Sequence, residues 1–228
     1  MVTEEANRVQ SDTPVRVWDL PTRLFHWLLV LLVVISFVTV EIGGNAMQYH
    51  ERSGFTILAL LLFRLAWGLF GSQPSRFKTF LKGPAEVLRY AATTLRREPE
   101  CQMTHNPLGG WSVAALLTTL LVQAGSGLFA NDDIATEGPL YGWVSKRVSD
   151  WITDAHEFNA GIMVVLIGLH VAAVLFHLIY KRDNLLVPMI TGDKQCGAAD
   201  GPPRMRPFWL AAVVGTLAAA AVYFLVRR

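Results

Sequence analysis

The stretch DAHEFNAGIMVVLIGLHVAAVLFHLIYKRDN, residues 154–184, decides how the rest of the chain is read. It is an apolar helix candidate carrying three histidines, His156, His170 and His177. His156 and His170 are 14 residues apart, so at about 1.5 Å and 100° per residue they stand roughly 21 Å apart on nearly the same face. His177 lies about two turns further along that face. One buried histidine is most often a satisfied core residue. Three in register within a membrane-length helix point to function, because ionisable groups there are rare and face the bundle interior.

The bulk numbers agree with a membrane setting. The chain has 228 residues, of which 52% are hydrophobic and only 17% charged, with a mean hydropathy of +0.36. That is too apolar for an ordinary soluble domain. Cys101 and Cys196 stand in separate polar loops without C-x-x-C, C-x-x-C-H or zinc spacing, and read as incidental. The first 20 residues are polar, with Glu4, Glu5, Arg8, Asp12 and Arg16, so no cleavable signal peptide is expected.

Working outward from the opening stretch, four more spans appear. An apolar run from Leu24 to Val40 follows Asp19, a capping residue, and Pro21, which suits a first helical turn. A second begins near His50 and runs from Phe55 to Phe70, with Arg64 inside it. A third starts at Asn106-Pro107 and continues from Trp111 to Phe129 without a charge. The fourth is the opening helix itself, Trp151 to Tyr180, long enough to tilt or project beyond the bilayer. The fifth, Phe208 to Val226, has no histidine and is assigned to anchoring or partner contact. Between spans two and three, Ala85 to Arg97 reads as a short helix on the membrane surface. The acidic, aromatic loop between spans three and four is long enough to have a task beyond connection.

Lysine and arginine are divided unequally between the two sides. The N-terminal tail, the loop after span two and the linker after span four carry fourteen, against five on the other side. The positive-inside rule then places the N-terminus in the cytoplasm and the acidic loop outside.

Topology sorts the histidines by depth. His50 and His156 open spans two and four near the outer face, while His26, His170 and His177 lie toward the inner face. Two helices offering one imidazole each across a gap suit a six-coordinate haem iron, with no open position for a substrate, as electron transfer requires. Gly54 lies one turn from His50, and Ala160 and Gly161 one turn from His156, so a flat macrocycle could approach the backbone. For the inner site, depth alone would pair His26 with His177 rather than His170.

Several motifs together resemble the bacterial cytochrome b561 and Ni/Fe-hydrogenase b-type cytochrome superfamily. They are Phe25-His26-Trp27, Arg64-Leu65-Ala66-Trp67-Gly68, His105-Asn106-Pro107-Leu108-Gly109-Gly110, His156-Glu157, Gly168-Leu169-His170, His177, Lys181-Arg182-Asp183-Asn184-Leu185 and Met189-Ile190-Thr191-Gly192, spread over about residues 15 to 194. The resemblance implies a four-helix bundle holding two non-covalent b haems with ligands from helices one, two and four. Carried over by motif, it implies His26 with His170 for the inner iron and His50 with His156 for the outer iron. It also implies that His177 is not a ligand. The fifth helix departs from the usual four-helix pattern.

Other residues carry readings of their own. Arg64 is expected to pair with a haem propionate or a carboxylate, with snorkelling to the interface as the alternative. Arg23 and Arg52 flank proposed ligands and could hold propionates, or be ordinary membrane-edge arginines. His105 could meet a quinone or a propionate, or be an interfacial histidine. Gln123 reads as interhelical glue. Glu157 could orient an imidazole or simply face water. Trp18, Trp143, Trp151 and Trp209 fit an interfacial belt.

The fold expected is therefore an all-α membrane protein, a four-helix transmembrane bundle binding haem plus a fifth C-terminal transmembrane helix. The expected divisions are a cytoplasmic tail, 1–20; a cytochrome b561-like haem-binding domain, 21–194; a cytoplasmic linker, 195–207; and a final helix, 208–228. The function expected is electron transfer across the bacterial inner membrane between a periplasmic c-type cytochrome or dehydrogenase and the quinone pool. The acidic outer loop, Asp132 to Asp154, would dock a basic donor. Rival readings are a cytochrome subunit of a membrane-bound hydrogenase, a superoxide:quinone oxidoreductase, and a haem-free transporter or scaffold. No nucleic-acid partner is expected, and a homodimer is left open.

Overall fold

The computed structural model describes residues 14–96, 104–195 and 202–227. Cys101, Cys196, Arg97, Arg228 and the tail up to residue 13 lie outside the described residues. In chain order the elements are β1 (Pro14–Arg16), α1 (Leu20–Ile42), α2 (Met47–Phe70), α3 (Phe77–Phe80), α4 (Pro84–Thr93), α5 (Pro107–Gly127), α6 (Lys146–Ile179), α7 (Leu186–Thr191), β2 (Asp193–Gln195) and α8 (Phe208–Val226). Five of these helices, α1, α2, α5, α6 and α8, are long and apolar enough to cross a membrane. The chain is an all-α membrane protein.

Local chemistry sets the helix ends. Asp19 caps α1 by accepting from the Thr22 backbone N–H at 2.9 Å, and Pro21 follows in the first turn. The other Asp19 oxygen accepts from Trp67 Nε1 at 2.9 Å, which ties the start of α1 to the end of α2. Asn106 caps α5 through a 2.7 Å bond from the Gly109 N–H. Gly110 is required there, because a Cβ would stand 2.5 Å from the Phe80 carbonyl oxygen. Ser145 caps α6, its side chain accepting from Val148 N–H. That cap starts the helix at Lys146 rather than at the expected Trp151 and gives it 34 residues. Its length is about 50 Å, against roughly 30 Å of hydrocarbon.

The helices pack in a chain of neighbours. α1 lies along α2, α2 meets α5 and α8, and α5 meets α6. Among the described residues α6 leans chiefly on α5 and does not pack closely along α1 or α2. Phe25, Leu61, Phe63, Trp67, Leu117, Leu120 and Met163 form the main core, with the Phe63 and Trp67 rings stacked at 5.8 Å. Lipid tails are as apolar as leucine, so in a bilayer close packing and polar pairs hold helices together. Asn159 of α6 supplies such a pair, donating to Gln123 Oε1 at 2.7 Å and to the Thr119 carbonyl at 3.0 Å on α5. Gln123 is interhelical glue, as its sequence setting suggested.

α8 lies against α2. Ala211, Gly215 and Ala218 recur at helical spacing, and a Cβ on Gly215 would come 3.9 Å from Phe63. Small residues of this kind let two helices approach closely. Opposite them, Trp209, Val213, Leu217 and Phe224 are exposed and suited to lipid.

One end of the bundle is closed by short elements. β1 pairs antiparallel with β2, with Val15 opposite Lys194. Residues 14–16, placed by the sequence reading in the tail, are thus joined to the folded unit. Gly192 ends α7 at φ +94°, a backbone form that favours glycine, and its carbonyl accepts from Val17 and Trp18 N–H at 2.8 and 3.1 Å. The surface helix expected at 85–97 forms as α4; none of its residues is buried, and Leu88 is 71% exposed.

Candidate functional site

Four histidines meet in two pairs at opposite ends of the bundle. His26 of α1 faces His170 of α6 with ring centroids 6.5 Å apart. His50 of α2 faces His156 of α6 at 6.3 Å. Two imidazoles on one metal ion, each at about 2 Å from metal to nitrogen, stand roughly 6 Å apart by centroid once both ring radii are added. Both pairs have the spacing of a bis-imidazole site. The gap that α6 leaves beside α1 and α2 is the space they face.

The His50–His156 pair also has its proton positions set by its neighbours. His50 Nδ1 lies 3.0 Å from the Ser36 carbonyl oxygen, which can only accept. Nδ1 therefore carries the hydrogen, and Nε2 keeps its lone pair. His156 Nδ1 lies 3.0 Å from Ser126 Oγ. That hydroxyl has one hydrogen, directed to the Val122 carbonyl at 2.7 Å or the Gln123 carbonyl at 3.1 Å. With that hydrogen on a backbone carbonyl, the Ser126 oxygen accepts from His156 Nδ1–H, and Nε2 is again left bare. A bare Nε2 on each side is the donor set that haem iron takes. A Cβ on Gly54 or Gly161 would meet nothing within 4 Å, so open space lies beside both.

The His26–His170 pair borders a cavity of about 680 Å³, which Trp18, His105, Asn106, His177 and Lys181 also line. That volume is within the range of cofactor pockets. His26 Nδ1 is buried and has no hydrogen-bond partner among the described residues.

His177 is placed differently from the paired histidines. Asn106 commits its Oδ1 to the α5 cap, so its Nδ2 is the group turned toward His177 Nε2, 3.3 Å away. The Nε2 lone pair accepts that bond, and Nδ1 stands 3.9 Å from Asp183. Asp183 is also bonded by Lys194 Nζ at 2.9 Å. Burial pushes the Asp183 carboxyl up, but His177 and Lys194 outweigh it and hold it below its usual value.

The arginines read as propionate partners have other engagements. Arg64 is buried, at 3% exposure, and does not line the cavity. Its Nη1 donates to the Ser75 carbonyl at 3.0 Å, and its guanidinium stands over the Phe77 and Phe80 rings at 5.2 and 5.9 Å. The expected carboxylate partner is replaced by a backbone carbonyl and two aromatic faces, with no direct ion pair among the described residues. Nor does Arg64 snorkel. Arg23 donates to the Ile190 carbonyl on α7. Arg52 is exposed and lies 5.9 Å from the Tyr49 ring centroid.

His105 packs between Trp18 at 4.9 Å and Phe80 at 4.8 Å. Burial, with Arg64 adding to it, pushes His105 down to about 3, so it is neutral at physiological pH. Trp18 thus lines the cavity instead of serving only in the interfacial belt, whereas Trp143, Trp151 and Trp209 are exposed as a belt requires. Glu157 faces outward. Sequence reasoning missed Ser36, Ser126 and the Asn106–His177 bond. The available signal for Ser126 was a hydroxyl inside an apolar helix at the depth of His156.

In the loop between α5 and α6, Asp132 Oδ1 accepts from the Ile134, Ala135 and Thr136 N–H groups at 2.8–2.9 Å. The Thr136 bond foremost, with the other two, holds this carboxyl well below the usual range. Lys146 bridges Asp133 and Asp150 at 2.5 Å each. Glu137, Asp154 and Glu157 are the exposed carboxylates that remain.

The family model of the prokaryotic cytochrome b561 matches residues 17–192. The chain belongs to that family. Similar curated proteins include the probable Ni/Fe-hydrogenase B-type cytochrome subunit of Bradyrhizobium diazoefficiens, 25% identical over 82% of this chain and 89% of the relative. Another is the subunit of the same description from Azotobacter vinelandii, 25% identical over 81% and 90%. A third is the probable Ni/Fe-hydrogenase 1 B-type cytochrome subunit of Escherichia coli K12, 22% identical over 77% and 88%. No solved structure matches. Membership makes this b561-family chain a membrane b-type cytochrome, and the group implied is haem b.

Proposed function

We propose that the protein is a di-haem b-type cytochrome of the bacterial inner membrane, relaying electrons between a periplasmic redox partner and the quinone pool. The observation that carries this reading is the pair of facing imidazoles at each end of α6, at 6.5 and 6.3 Å. His26 with His170 would hold one iron, and His50 with His156 the other. Haem, when bound, supplies reversible one-electron chemistry. Ser36 and Ser126 fix the His50 and His156 imidazoles, and two histidines on each iron would leave no site there for a substrate.

His170 is favoured over His177 because His177 Nε2 already accepts from Asn106. The positive-inside rule supports an N-terminus in the cytoplasm, which puts the His50–His156 site on the periplasmic side. A basic c-type cytochrome would dock there, on the carboxylates of the loop before α6. A quinone would react at the other end, where the 680 Å³ cavity borders His26 and His170. His105 lines that cavity as a neutral group able to face a quinone oxygen.

A second reading is favoured by the relatives. Several are described as hydrogenase cytochrome subunits, so the periplasmic partner would be a hydrogenase held as a stable complex. Purification in mild detergent separates the two readings, since a hydrogenase subunit brings its partner with it. The haem reading is tested by a pyridine haemochrome assay on the pure protein. Two b haems per chain are expected; a spectrum without b-type bands refutes it.

A further inference from the structure

The two histidine pairs differ in what lies behind the rings. At the His50–His156 site each Nδ1–H donates to an oxygen 3.0 Å away, the Ser36 carbonyl or Ser126 Oγ. These acceptors are themselves held. Ser36 Oγ and Ser53 Oγ are 2.6 Å apart, and Ser53 Oγ donates to the His50 carbonyl at 2.8 Å. Gly127 places backbone under the other ring, a Cβ there standing 3.2 Å from His156 Cε1. At the opposite site, His26 Nδ1 is buried without a hydrogen-bond partner among the described residues.

An imidazole whose Nδ1–H is donated to an oxygen is a more basic ligand at Nε2 and favours ferric over ferrous iron. The surrounding charge acts in the same direction. At this end Glu51, Asp132, Asp154 and Glu157 outnumber Arg52 and Arg147, with Lys146 held between Asp133 and Asp150. The other end has Arg23, Arg64 and Lys181 besides Lys194, which Asp183 pairs, against Asp19. Negative charge stabilises the more positive iron, and positive charge disfavours it.

We infer that the His50–His156 site is the lower-potential of the two haem sites, and that Ser126, acting through His156, is a positioning residue that lowers it. This rests on the reading of two bis-histidine haems. Electrons entering at the acidic end then run downhill along α6 toward the cavity.

The test is a potentiometric titration of the haem-loaded full chain, followed at the absorbance bands, with haem retention measured in parallel. His170→Ala leaves the His50–His156 haem alone, and His156→Ala leaves the other, so each midpoint is assigned. The former is expected to be the lower. Ser126→Ala is expected to raise that midpoint, to weaken haem retention at that site by about 10-fold, and to leave the other haem unmoved. Ser126→Thr keeps the hydroxyl and is expected to stay near wild type in both measurements. A higher midpoint at the His50–His156 site overturns the inference. So does a Ser126→Ala protein in which neither haem, or both haems equally, shift. Fewer than two haems in the wild type overturns the underlying reading and this inference with it.

Discussion

Nε2 of His177 accepts from Asn106 Nδ2 at 3.3 Å, so this histidine is bonded to the residue that caps α5. It joins α6 to the start of α5, while His170, two turns earlier, faces His26. Haem content should separate these roles. His170→Ala is expected to fall from two haems per chain to one, and His177→Ala to keep both. Loss of a haem from His177→Ala alone would restore the depth argument. Asn106→Ala removes both the cap and the His177 bond, and is expected to lower stability by about 1–2 kcal/mol in thermal unfolding.

Arg64 tests whether a buried charge in a span serves a cofactor or the fold. Its Ser75 carbonyl bond and its two aromatic faces assign it to the fold. Arg64→Ala leaves that carbonyl unsatisfied and opens a void, with an expected cost of about 2–4 kcal/mol. The folded fraction should retain both haems. Full thermal stability combined with a missing haem would return Arg64 to propionate binding.

The Asp132 turn carries a pH prediction. Its folded carboxyl lies below the unfolded value of about 3.9, so its contribution is fully present above that value and is lost as pH falls through the lower folded one. Amide protection at residues 134–136, relative to intrinsic exchange at the same pH, should be present near neutrality and lost in strong acid. In Asp132→Ala it should be absent at every pH. Equal exchange in the two proteins at pH 7 would show that the turn does not depend on the carboxylate.

Docking of a basic periplasmic cytochrome should depend on the carboxylates that the loop leaves uncommitted. Asp132 is bonded to backbone, and Lys146 bridges Asp133 and Asp150. Glu137, Asp154 and Glu157 remain. Reversing them to lysine is expected to slow association by about 10-fold or more at low salt and to flatten its salt dependence. Rates insensitive to ionic strength in the wild type would remove the docking surface from consideration.

Much of the architecture was legible because span length and capping chemistry are local properties. Asp19, Pro21, Asn106 and Pro107 announced two helix starts correctly. The start of α6 was misplaced because Ser145 lies in polar sequence outside the apolar run. Facing histidines could be matched by depth to within a turn or two, but His170 and His177 share a helix face. Their difference lies in Asn106, a residue 71 positions away from His177. Ser126 did not stand out for a similar reason. A hydroxyl in an apolar helix usually bonds its own backbone, as this one does, and only the helix crossing brings His156 to its other side.

The contact between α8 and α2 also governs what can assemble with the protein in the plane of the bilayer. The chain covers the α2 flank with its own Ala211, Gly215 and Ala218 surface. A partner's single-span anchor therefore has to seat against α1, α5, α6 or the lipid side of α8. Removing residues 208–228 would uncover a flank lined by Phe63 and Leu62 and open it to lipid or to another helix.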